Sequence, residues 1–282
     1  MDRIGRQNFL GISSNSTRNT RLACELVVQE CPWIVVLPDT CHLLNNTTKD
    51  ISKIPFFSEV CLTTTGSGCL SQSNKITQTI SHLHSIIKYF RKSSFAKQHL
   101  TVFRIHVDVK RGLVSVRDTR FLTFYHSGSS VERCLLPIKE LVERKILMLT
   151  SVSGIFTLPM MCSLLTQKVG IYWMRKHDEV LTFKNGLRQL VRILEPLTRA
   201  CQCLESSKAT AGDIYHFWLA VLATYEQLIQ NNNDVDGLQI PDEVINEIHK
   251  VVDARWRELT TGPRKSVYVS TFFLDPHGFY YC

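Results

Sequence analysis

Asp39, Cys41 and His42 place a carboxylate, a thiol and an imidazole within four residues. They fall where an apolar, β-branched run, Trp33 to Leu37, gives way to a helical pattern. Pro38 stops the run, and Asp39-Thr40 supply side chains suited to a helix N-cap. The helix that follows is expected to carry Leu43, Leu44, Thr47 and Ile51 on one side, with His42 in its first turn. Ligands in α/β folds gather outside the carboxyl ends of strands, where this handover lies. Asp39 there has two readings, a metal ligand or a helix cap, and the cap is the commoner role for the residue type. A lone histidine is a weak signal. Ten cysteines are scattered without paired metal-ligand spacing, since Cys201 and Cys203 make only a CxC. The first ten residues are polar and charged, unlike a secretory leader, so reduced thiols in an intracellular protein are expected.

The elements that must position these groups follow from periodicity. Asn8 to Ile12 reads as a strand and Trp33 to Leu37 as a second, buried one. A helix begins near Asn19, with Leu22, Leu26 and Val27 at helical spacing, and Pro32 ends it. Strand, helix, strand is a βαβ unit, so the two strands should be adjacent and parallel. Helical stripes then recur. Ile76 to Phe90 forms one, and Ser93-Ser94 can cap the next. Val131 to Val142, Phe183 to Leu204 and the stretch after Asp213 follow. Pro196 should kink or divide its helix. Asn231 to Gly237 reads as a polar linker, and Pro241 should open a last long helix. Residues 146–165 carry no charge and are about as long as a membrane span. Their Ser, Thr, Gly and Pro content favours a helix end, a loop and a helix start, and no membrane partner is expected.

At 282 residues with 44% hydrophobic and 21% charged, the chain can bury a sizeable core as one or two domains. Its net charge is +8. Ten Lys/Arg and two Asp lie between Lys75 and Arg120, so that segment alone holds a surplus equal to the total. Such a concentration suits a polyanion such as DNA, or forms a solvated helical face.

The apolar strand followed by Cys41-His42, two leucines and Asn45 resembles the cysteine–histidine motif of hAT-superfamily transposases. The likeness is fullest to fungal hAT-like transposases. It extends through Gly11 to Ala23, Thr119 to Phe121, His177 to Ser207 and Phe272 to Pro276, in that order. It implies a mainly α chain with a small α/β part: a partial RNase H-like βαβ fragment over 1–57 and a large helical insertion domain over 58–282. Ser266 to Leu274 is helical in that setting, although its β-branched residues alone suggest a strand.

Transposases of this class use acidic side chains to hold two metal ions, Mg2+ in the active family, that activate a nucleophile and stabilise the leaving oxygen. The resemblance puts the second acid just after Gly11-Ile12-Ser13-Ser14, where this chain has Asn15, and a glycine where it has Arg18. A neutral amide brings no charge to a metal. The first acid would precede the chain and the third, with the dimerisation region, would follow it. Cys41 and His42 keep the family motif without its acids. Thr119-Arg120-Phe121 resembles an Arg-Trp motif in which the ring stacks on an exposed base. Phe121 keeps a stacking face, while Arg120 and the nearby Arg117 suit phosphate. Phe121 can equally be a core residue beside a surface Arg. The expectation is a truncated, transposon-derived and catalytically inactive hAT-like protein, intracellular and nuclear. Residual DNA binding and self-association are expected, with no cofactor. Its rivals are a helical protein-interaction module and an active metal-dependent nuclease with unrecognised acids.

Overall fold

Two short strands, β1 (Gly11–Ser14) and β2 (Val35–Pro38), pair in parallel in the computed structural model, Gly11 opposite Val35 and Ser14 opposite Pro38. The structure describes residues 5–14, 17–58, 79–116, 122–144, 172–261 and 265–275. Parallel neighbours need a crossover, and α1 (Arg18–Glu30) supplies it. Thr17 caps α1 by accepting a hydrogen bond from the Thr20 amide. The βαβ unit is thus the one read from the sequence, with β1 moved toward the chain's C-terminus. Arg6–Asn8 winds into a 3-10 turn, so Asn8 lies outside the strand.

The second strand is less buried than its composition suggested. Ile34 is buried, but Trp33 and Val35 are 49% and 38% exposed. Trp33 sits in the turn before β2, and successive residues of an extended chain point to opposite faces. Among the described residues the sheet has only two strands, so one side of that alternation has little to pack on.

The helix α2 (Thr40–Ser52) begins directly after β2. Leu43, Leu44, Thr47 and Ile51 are all buried, as their spacing requires. Thr47 and Thr48 satisfy their buried hydroxyls by donating to the carbonyls of Leu43 and Leu44, at 2.9 and 3.2 Å. The short α3 (Pro55–Ser58) follows.

By internal contact the chain forms two units, residues 1–51 with 196–282, and residues 52–195. This differs from a division at 57/58, because long-range bonds join the N-terminal fragment to the last helices. These are α8 (Ala211–Gln230), α9 (Asp242–Thr260) and α10 (Lys265–Leu274). The Tyr268 hydroxyl donates to the Pro38 carbonyl at 3.3 Å, and Arg255 bridges Asp50 and Glu258. Gly212 lets α10 approach α8, since a Cβ there would lie 3.2 Å from the Thr271 carbonyl oxygen. Thr210, the N-cap of α8, and Asp213 form a reciprocal capping box.

The expected polar linker after α8 is instead tightly bonded. The buried Asn232 amide donates to the Ile240 carbonyl and accepts from its N–H, both at 2.9 Å. Pro241 is the N-cap of α9, one position before its first helical residue.

The second unit is helical. It contains α4 (Thr79–Lys92), α5 (Ser94–His106), α6 (Thr123–Glu143) and a 3-10 turn at Tyr172–Arg175. The helix α7 (His177–Leu204) contributes its first part to this unit and passes into the other at Pro196. Ser93 caps α5. Leu83, Ile86, Ile138, Leu141, Leu187 and Leu190 are fully buried. Pro196 neither ends nor divides α7. An interior proline costs about 3 kcal/mol. The buried row Leu187, Leu190, Leu194, Leu197 and Cys201 runs past it on both sides and outweighs that cost. The segment 146–165 lies outside the described residues. Among those described, no helix is long and apolar enough to cross a membrane.

Candidate functional site

The strand–helix handover is built by a cap. Asp39 Oδ1 accepts from the His42 amide at 3.0 Å, and its carbonyl accepts the first helical bond, from Leu43, also at 3.0 Å. The carboxylate is therefore committed to the backbone of α2, and the capping reading of Asp39 holds. Cys41 and His42, in the first turn of α2, are both half-buried. Thr40 is buried beside them.

Cys41 meets a residue far away in sequence. Its thiol interacts with that of Cys201, in the last turn of α7. That interaction lowers the Cys41 thiol from its ordinary pKa, against the opposing effects of burial and of the Asp39 and Glu205 carboxylates. It pushes Cys201 up, and burial adds to the rise. The Cys201 thiol donates to Glu205 Oε1 at 3.9 Å. Spacing in the sequence could not reveal this partner, because the two cysteines stand 160 positions apart.

A cavity of about 580 Å³ opens at the carboxyl ends of the two strands. Ser14, Cys24, Pro38, Arg21, Glu25 and Glu258 are among its lining residues, and the Ser14 hydroxyl and Cys24 thiol are 3.2 Å apart. Its position agrees with the rule for α/β sheets, but Cys41 and His42 do not line it. The sequence reading missed Arg21 and Glu258, for which the only local signal was the Arg21–Glu25 spacing along α1. Among the described residues no three His, Cys, Asp or Glu side chains converge as metal ligands.

The basic segment can be followed through residues 79–116. Lys88, Arg91, Lys92, Lys97, Lys110 and Arg111 are exposed, and Asp108 is the only carboxylate in this stretch. Arg104 is differently used. Its guanidinium donates to the carbonyls of Val109, at 3.1 Å, and Lys110, closing the turn after α5. Residues 112–116 are tied to α6 by two serines. Ser127 donates to the Val114 carbonyl and Ser130 accepts from the Val114 amide, both at 2.9 Å. Asn15, Arg117, Arg120 and Phe121 lie outside the described residues. Cys41 and His42 thus belong to one unit with Cys201, and the basic segment belongs to the other.

Compared with protein-family models, with curated proteins and with solved structures, the chain finds no match.

Proposed function

We propose that this chain is a transposon-derived hAT-like protein that binds DNA without cutting it, and that it acts in the nucleus. The observation that carries DNA binding is the exposed cationic set Lys88, Arg91, Lys92, Lys97, Lys110 and Arg111, opposed by a single acid. Cations spaced along two successive helices can neutralise successive phosphates and release their counterions. The parallel βαβ unit and the capped helix opening on Cys41-His42 agree with the family resemblance. Absence of cleavage follows from Asn15, a neutral amide at the position of an acid, and from Arg18, which adds positive charge where metals would bind.

Binding to duplex and hairpin DNA over a range of salt tests the reading. Affinity should fall steeply with salt and show little sequence preference, because phosphate contacts carry no base code. Joint substitution of Lys88, Arg91 and Lys92 by Ala should flatten the slope by about 0.9 for each phosphate no longer neutralised. Arg117→Ala with Arg120→Ala should do the same. Phe121→Ala should weaken hairpin DNA more than duplex, since only an unpaired base offers its face. Incubation with Mg2+ or Mn2+ should leave the DNA intact, and Asn15→Asp alone should not change that. No binding at low salt would overturn the proposal.

A second reading, a helical protein-interaction module, is favoured by one feature. Phe95, Val102 and Ile105 are exposed along α5 and fall on one side of it. Charge-neutralising substitutions that leave a protein partner bound would support that reading.

A further inference from the structure

We propose that the turn at residues 107–112, directly after α5, is a preformed phosphate-binding loop, and that Arg104 is the residue that holds it in shape. The inference rests on the DNA-binding reading and names the part of the basic segment that grips the nucleic-acid backbone. The turn has no regular ladder, yet its backbone is tied down step by step. The Val107, Asp108 and Val109 amides donate to the carbonyls of Phe103, Ile105 and Arg104, at 3.2, 3.1 and 2.8 Å. Asp108 takes a left-handed φ of 55°, which an aspartate tolerates better than most residues. The half-buried Arg104 then reaches back, and its Nη1 donates to the Val109 carbonyl at 3.1 Å and to that of Lys110. The buried Cys134 thiol, on α6, donates to the Arg111 carbonyl at 3.8 Å. Peptide groups are planar and these are trans, so a carbonyl turned toward Arg104 turns the next residue's N–H away from it. The Lys110 and Arg111 amides therefore face away from Arg104, and among the described residues neither has a hydrogen-bond partner.

The turn thus shows solvent two backbone donors and the exposed side chains of Lys110 and Arg111. Donors of both kinds are what phosphate oxygens accept from, and they carry no base code. Asp108, exposed in the same turn, offsets one of the two charges. The far end of the loop is fixed as well, since Ser127 and Ser130 hold the carbonyl and amide of Val114. All these contacts lie within the second unit. Holding the backbone in advance removes an ordering cost that a loose loop with the same cations would meet on binding. Arg104 is a positioning residue here, because its guanidinium is turned to the turn's own carbonyls. A lysine at 104 would keep the charge but lack the planar fork that meets two carbonyls at once. Position and charge can therefore be separated by one substitution.

The experiment measures binding of the full chain to a fluorescein-labelled DNA duplex over a range of salt, with limited trypsin digestion alongside. Lys110→Ala with Arg111→Ala should flatten the salt slope by about 1.8, or 0.9 for each of two phosphates. Arg104→Lys should weaken binding about three- to tenfold and leave the slope unchanged, since order is lost and no cation is. Without DNA, trypsin should cut after Lys110 and Arg111 faster in Arg104→Lys than in wild type. In wild type, bound DNA should protect both bonds. Should Arg104→Lys fail to fold, the double alanine variant and the protection of wild type still decide, because both alanines replace exposed side chains. The proposal is overturned if the double variant keeps the wild-type slope, or if DNA leaves the two cleavages as fast as before. It is equally overturned if Arg104→Lys folds and binds as tightly as wild type. In each of these cases wild-type binding that persists leaves the DNA reading standing without this loop. A wild-type chain that binds no DNA at low salt removes the reading and the loop together.

Discussion

Asp39 could serve the backbone or a ligand, and its contacts favour the backbone. Asp39→Ala should cost about 1 kcal/mol of stability, the usual loss for an N-cap. Asp39→Asn should retain most of it, because an amide oxygen still accepts from the His42 amide. Chemical denaturation of the three proteins distinguishes the roles. If the Asn variant falls as far as the Ala variant, the charge matters and the cap is not the explanation. His82 carries a pH effect of defined sign. It stacks on Trp173 at 3.9 Å, and burial lowers its pKa from 6.5 to about 4. Above pH 6.5 it is neutral in the folded and unfolded states, and its contribution to stability is complete. Between pH 6.5 and 4 the unfolded chain takes up a proton that the folded one refuses, so stability falls. Thermal melts should show a smaller loss over this window in His82→Phe, which keeps a ring against Trp173. An equal loss in the variant would remove His82 as a cause. At this scale, what was readable in the sequence was local. The Asp39 cap and the buried Leu43, Leu44, Thr47 and Ile51 follow from spacing within one helix. The partners of Cys41 and His82 do not, because they depend on where distant helices pass.

Elements were legible where one periodicity dominated a stretch. The βαβ order, the parallel pairing and the stripe along α7 each had such a pattern. Departures arose where a second influence acted. Trp33 looked like a strand residue by type but lies in the turn that Pro32 starts. Pro196 looked like a break, but the buried row on either side of it keeps α7 continuous. The loop between α8 and α9 looked like solvent-facing linker because its residues are polar. Its polarity instead serves an internal bond, the Asn232 amide closing on both backbone groups of Ile240. Asn232→Ala would leave that buried N–H and carbonyl without their partner, at a cost of about 1–3 kcal/mol for each group left unsatisfied. Asn232→Asp should be intermediate, since it keeps the acceptor and loses the donor. Gly237→Ala should also destabilise, because a Cβ there would lie 2.3 Å from the Asn231 carbonyl oxygen. Urea titrations in which both alanine variants match wild type would show that the loop is not a structural joint.

At the scale of the whole chain, the features to be reconciled are a well-filled helical interior and a thinly covered βαβ unit. Leu83, Ile138, Leu187 and Leu194 are wholly buried, whereas Leu10, Leu22, Leu26 and Trp33 are each about half exposed or more. Leu22 and Leu26 are one helical turn apart on α1, so their side chains lie together on one side of it. Neither strand has a second neighbour among the described residues. Unpaired strand edges beside exposed apolar side chains promote association between copies. The chain should therefore self-associate, with an apparent midpoint of unfolding that depends on protein concentration. Replacing Leu22 and Leu26 together by Glu should shift sedimentation toward monomer while changing the monomer's own stability little, because neither side chain is buried in it. Replacing Leu187 by Glu should instead unfold the chain, since that side chain is fully enclosed. The contrast separates a sticky surface from a failing core. A wild-type protein that sediments as a monomer at every concentration, with one concentration-independent transition, would mean that these exposed residues do not associate.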